Sequence, residues 1–218
     1  MAVCLRPEGW RVLEKLQVDV ISDVVCPWCY IGKRRLEAAL ARLREAEPDL
    51  LIDVRWHPFQ LNPDLPREGI DRRSYLEAKF GGRERADEIY ARVRAAGKSV
   101  GIDFAFDRID RQPNTLDAHR LISWAQARGS AEELVERLFR AYFLDGRFLG
   151  DRETLVERAA EAGYDADDAR KFLASDDLIA AFRASGFDAL VSIGGDGSLR
   201  IAHDLWKQGL PVVGVPKT

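Results

Sequence analysis

A chain of 218 residues with 46% hydrophobic and 32% charged residues is long enough for one generous domain or two small ones of ordinary globular composition. The formal net charge of −3 argues against a nucleic-acid footprint, which would be basic. No apolar run approaches the roughly 20 residues that a membrane-spanning helix requires.

Residues 1–15 read as an N-terminal extension. Arg6, Arg11, Glu14 and Lys15 punctuate it, and it lacks the apolar core of a secretory signal, so a cytoplasmic protein is expected. Three cysteines fit a reducing compartment better than a disulfide-stapled scaffold, with Cys4 as a free thiol. Val18 to Val25 is rich in β-branched residues and predicts a strand. Tyr30 to Ala46 places Ile31, Leu36, Leu40 and Leu43 near one face and predicts a helix.

Between them lies Cys26-Pro27-Trp28-Cys29, two thiols one helical turn apart at a strand-to-helix junction. That is the layout of a thiol–disulfide exchanger. Cys26 at the helix start would meet orphan N–H groups and the positive end of the helix dipole, which favour the thiolate, the attacking species. Its pKa is therefore expected below the free value of about 8.5. Cys29, a turn further in, would resolve the mixed disulfide. Pro27 suits a first helical turn, and Trp28 would shape the surface beside the thiols. Half a zinc site has the same spacing, but it needs further ligands at zinc-like separations, and Cys4, His57, His119 and His203 are scattered. Two inert core cysteines are the remaining alternative.

Leu51 to Trp56 alternates apolar and polar residues and predicts a second strand, ended by His57-Pro58. Phe59 to Ile70 reads as an irregular connection. From Asp71 to about Ala174 the pattern is helical. Ser74 to Glu77 is a candidate capping box, and Gly97 would weaken or end the next helix. A further helix opens at Thr115. Ala131 to Asp145 carries a doubled apolar stripe (Leu134, Leu138 and Tyr142 beside Val135, Phe139 and Phe143), which marks a broadly buried helix. Asp151 to Ala162 follows, with Gly163 as its stop. His119 reads as a packing or surface residue.

These elements, with the runs Ser22 to Lys33, Trp56 to Pro63, Pro113 to Arg120 and Leu138 to Phe143, resemble the DsbA-family oxidoreductases of the FrnE type over residues 17–176. The resemblance implies an α/β, thioredoxin-like fold: a βαβ part at 16–70 and an inserted all-helical domain at 71–176. It also implies dithiol–disulfide exchange with protein thiols or disulfides, or with glutathione, and no cofactor. The family includes glutathione-dependent isomerases of hydroxychromene carboxylates, in which serine usually replaces the first cysteine. Cys26 favours disulfide chemistry, and the isomerase or transferase reading stands as the alternative.

Residues 177–218 follow another pattern. A short strand from Phe187 runs into Gly194-Gly195-Asp196-Gly197-Ser198 and then a helix, with a second strand from Gly209 to Thr218. Such a turn can cradle phosphate through backbone N–H groups and a helix N-terminus, while Asp196 can hold magnesium. A plain glycine turn is the alternative. The segment resembles the nucleotide- or pyrophosphate-binding turn of phosphofructokinases, without the sugar-phosphate lobe or the catalytic base. Kinase activity is therefore not expected, because donor, acceptor and base must be held together. Gly195, Asp196, Gly197 and Ser198 form the cofactor-binding set of this alternative. The family resemblance also suggests Pro216 as the cis-proline that faces the thiols in DsbA-type proteins. The expected sheet lacks its closing strand, which points to self-association through an open edge. A vestigial turn in an inactive chimera is the last alternative.

Overall fold

The computed structural model describes residues 15–175, Lys207, and the backbones of two strands at 190–194 and 212–216. The chain begins with a βαβ unit: β1 (Lys15–Ser22), α1 (Pro27–Ala46) and β2 (Leu51–Pro58). β1 and β2 pair in parallel, with Val18 opposite Val54 and Val20 opposite Trp56. Along β1 exposed and half-buried residues alternate, so one face rests on the body of the molecule and the other meets solvent. Strand β1 ends at Ser22, earlier than its β-branched run suggests. The Cys26 amide donates to the Asp23 carbonyl at 3.0 Å and closes a turn that buries Val24 and Val25. Strand β2 runs on through His57-Pro58, whose Nε2 lies 2.7 Å from Asp19 Oδ1 across the pair.

The helical insertion follows an irregular stretch. A two-residue antiparallel pair, β3 (Ile70–Asp71) with β4 (Arg111–Gln112), brackets α2 (Arg72–Phe80) and α3 (Arg83–Lys98). Then come α4 (Leu116–Gln126), α5 (Glu132–Phe143), α6 (Arg152–Glu161) and α7 (Ala166–Ala174). One local expectation changes here. The cap of α2 is Asp71, which accepts from the Ser74 amide at 2.7 Å, so Ser74 is a donor inside the first turn and not a capping-box acceptor. Helix α3 ends at Lys98, one residue past Gly97, whose carbonyl accepts from the Val100 and Ile102 amides in the closing turn. The glycine is needed for packing, since a Cβ there would stand 2.5 Å from the Phe104 ring.

Both stripes of α5 are buried, with Leu134, Leu138, Phe139 and Phe143 fully so, and they form the centre of the core. Tyr30, directly after Cys29, joins the βαβ unit to this centre. Its ring stacks on Phe139 at 4.8 Å and meets Phe104 edge-on at 6.2 Å. Charges reinforce the junction: Glu136 of α5 accepts from the Tyr30 hydroxyl at 3.0 Å and from Lys33 at 2.8 Å, and also pairs with Arg34. Lys33 is buried yet fully engaged, because Glu37 takes a further bond from it.

Among the described residues, β1–β2 is a two-stranded sheet without a further partner strand. Strands β5 (Leu190–Gly194) and β6 (Val212–Pro216) pair with each other in parallel as a separate sheet.

Candidate active site

The site is built where the turn after β1 becomes α1. Cys26 is the N-cap residue, in extended conformation (φ −94°, ψ 111°), with Pro27 at the first helical position. Proline costs nothing there, since its missing N–H would have had no helical partner. The Cys26 carbonyl accepts from the Cys29 and Tyr30 amides at 3.1 and 3.3 Å, which starts the helix ladder. Both thiols are free and half-buried. Trp28, between them in the chain, is 54% exposed, a solvent-facing aromatic beside half-buried Cys26, Pro27 and Cys29.

The electrostatics divide one proton between two sulfurs. The Cys26 S–H donates to Cys29, and this bond holds Cys29 down to about 6 against the opposing effect of burial. The Asp23 amide and the Ser22 hydroxyl add to the lowering, and the negative charge of Asp23 opposes it. Cys26 is raised by the same bond, then by burial and the Cys29 charge. The amides of Cys29 and Trp28 still favour a thiolate at Cys26, as an N-cap position should. The expected lowering therefore belongs to the pair: one of its two protons is released at about 6 and the other is held, so the dithiol titrates as a unit.

Beneath the turn lies a residue that hydrophobic patterning passes over. Asp23 is 1% exposed; its carboxylate accepts from the Leu61 amide at 2.7 Å and the Val25 amide at 3.4 Å. His119 of α4, 4% exposed, brings Nε2 to 3.3 Å from Asp23 Oδ1 without aligning for a hydrogen bond. The histidine thus packs, as expected, but beside a buried carboxylate under the dithiol. The available signal was positional: Asp23 stands three residues before Cys26 in a run of apolar residues, where an acid must have a structural reason.

Pro216 ends β6, which pairs with β5, and no cis peptide bond occurs among the described residues. Gly195, Asp196, Gly197 and Ser198 lie outside the described residues, as do Cys4 and His203. Among the described residues no group of three or more His, Cys, Asp or Glu is placed to hold a metal, and no helix is long and apolar enough to cross a membrane.

Comparison with known proteins agrees with this geometry. The chain matches the DSBA-like thioredoxin domain over residues 17–189. A solved structure described as a probable DsbA oxidoreductase, SCO1869 from Streptomyces coelicolor, superposes with a TM-score of 0.66 at 31% identity, over 89% of this chain and 78% of that one. The uncharacterized protein YwbO of Bacillus subtilis is 25% identical over 150 residues, 69% of this chain and 68% of its own. The cytosolic disulfide reductase DsbM from Pseudomonas aeruginosa, solved with GSH, shares the fold at a TM-score of 0.51 and 20% identity, over 90% of this chain and 84% of that one. Short matches to ATP-dependent 6-phosphofructokinases also occur; that of Lysinibacillus sphaericus is 64% identical over 36 residues, 16% of this chain and 11% of the enzyme. A strand–dithiol–helix junction set against a helical insertion, together with a family match across most of the length, places this chain in the DSBA-like thioredoxin-domain family.

Proposed function

We propose that the chain is a thiol–disulfide oxidoreductase in which Cys26 attacks and Cys29 resolves. The observation that carries this reading is a free, half-buried cysteine pair at a helix N-terminus, with Cys26 as the N-cap residue and Cys29 one turn further in. The lower pKa of the pair, about 6, would make one thiolate available at pH 7.

In the reductive direction the shared proton passes to Cys29. This leaves Cys26 as a thiolate supported by the Trp28 and Cys29 amides. Cys26 attacks a substrate disulfide, one substrate sulfur departs as thiolate and takes a proton from solvent, and the other remains in a mixed disulfide. Cys29 then attacks the Cys26 sulfur and its proton goes to the second departing thiol. Two electrons have moved from the dithiol to the substrate. Pro27 fixes the entry angle of the helix, and the exposed Trp28 ring offers the apolar face against which a substrate lies.

The substrates on this reading are protein disulfides or a small thiol such as glutathione. The GSH-bound cytosolic relative supports the latter, and also a cytoplasmic place of action. The test is reductive precipitation of insulin by dithiothreitol, with the wild type and Cys26→Ser compared. The variant should lose the catalysed rate; equal rates would remove the proposal.

A further inference from the structure

Four arginines of the helical insertion line one cavity, and two of them, Arg72 and Arg94, differ in how they are neutralised. The cavity, about 410 Å³, lies between α2, α3 and the segment 106–110. None of residues 26–29 lines it. Arg94, at its edge, is fully engaged: Nη2 meets both Asp107 carboxylate oxygens at 2.8 and 2.9 Å, and Nη1 donates to the Phe104 carbonyl at 2.8 Å. Arg72, deeper, is 6% exposed and makes no ion pair among the described residues; its Nε has no hydrogen-bond partner. Its guanidinium lies over the Tyr90 ring at 4.9 Å and the Phe106 ring at 5.5 Å. The Arg72 guanidinium donates to the Tyr142 hydroxyl, a neutral group that itself donates to Gln112 at 3.0 Å.

A buried cation without a counter-ion is costly, and a stability argument alone would replace it with an apolar residue of similar volume. Stacking on two rings offsets part of that cost but supplies no negative charge. The missing charge has room to enter, because the volume falls in the range of small-molecule sites. The lining limits its character. Tyr90, Phe106, Ile109 and Leu76 present apolar surface, and the remaining charges are Asp71, Glu77, Asp87, Asp107 and Asp110 against Arg73, Arg83 and Arg94. Those carboxylates oppose an anion in proportion to its charge, so a ligand with a single negative charge is opposed least. We propose that this cavity binds a small organic monocarboxylate, its carboxylate on the Arg72 guanidinium and its apolar body against Tyr90 and Phe106, separately from the dithiol chemistry.

Benzoate is a suitable probe, titrated by calorimetry into the full chain with inorganic phosphate and succinate as competing anions. Saturable one-site binding of benzoate, at least tenfold tighter than succinate or phosphate, is expected. Arg72→Met should weaken it at least tenfold while melting at or above the wild-type temperature. Leu76→Trp, which narrows the cavity and keeps the cation, should weaken it as well. The Cys26→Ser/Cys29→Ser double variant should bind within twofold of wild type, so that failure of the redox reading and failure of this one are told apart. The proposal is overturned by no saturable benzoate binding, by phosphate or succinate binding better, by unchanged affinity in Arg72→Met, or by a marked loss of folding in that variant, which would make Arg72 structural. Loss of binding in the double cysteine variant would equally overturn its independence from the dithiol.

Discussion

Cys26 and Asp23 show what a few residues decide at this site. Because Cys26 S–H holds the Cys29 pKa near 6, thiolate absorbance at 240 nm in the reduced protein should titrate with a midpoint near 6, not near the ordinary thiol value. In Cys26→Ser the remaining thiol exchanges a sulfur donor for a hydroxyl, and its midpoint reports how much of the lowering the S–H supplied. Asp23 acts in the opposite sense, since its negative charge raises Cys29. Asp23→Asn should therefore move the midpoint further down, and it should cost about 1–3 kcal/mol of stability in a urea titration, because one of the buried Leu61 and Val25 amides loses its acceptor. A midpoint that rises in this variant would contradict the assigned geometry. The cysteine spacing was legible in the letters alone. The direction of proton sharing was not, because an N-cap argument weighs one sulfur against the helix and cannot weigh it against a second sulfur whose position depends on the turn.

At the level of elements, the junction between α1 and α5 holds the dithiol helix to the insertion. Glu136 collects Tyr30, Lys33 and Arg34 in one cluster, and Lys33 has almost no contact with water. Glu136→Ala leaves that ammonium with Glu37 alone, so a loss of about 3 kcal/mol is expected by denaturant unfolding, with Glu136→Gln less severe. Packing makes a second prediction. Gly97→Ala, normally favourable inside a helix, should destabilise by about 1–3 kcal/mol, because the added methyl meets the Phe104 ring at 2.5 Å. The doubled stripe of α5 announced its burial through periodicity. Lys33 and Glu136 did not announce theirs, since a charged residue satisfied by a partner about a hundred positions away reads as a solvated one. At Gly97 the end of the helix is legible, whereas the close approach of Phe104 is invisible until the chain is folded.

For the molecule as a whole, proton sharing becomes a pH dependence of folding. In the reduced, unfolded chain both thiols titrate near the ordinary thiol value of about 8.5, whereas in the fold one lies near 6 and the other is raised. Between about pH 6 and 8.5 the unfolded state binds more protons than the folded one, so stability of the reduced protein rises with pH through that window. Above that window the order reverses and stability falls again. The double cysteine-to-serine variant should lack this hump when melting temperatures are compared from pH 5 to 10. The global layout, a strand–helix–strand unit carrying a helical insertion, could be read from hydrophobic periodicity and the position of the cysteines. The extent of the thioredoxin-type sheet could not. A βαβ pattern predicts parallel pairing, as β1 and β2 show, but not which later strand joins them, and β5 and β6 pair with each other.

The exposed indole in the dithiol turn has a practical consequence. Trp28 is 54% exposed, while Trp56 and Trp124 are each 4% exposed, so these three emit in clearly different surroundings. A disulfide quenches a neighbouring indole more strongly than a dithiol does. The long-wavelength part of the emission should accordingly dim on oxidation and recover on reduction, giving an optical readout of the redox state without any added dye.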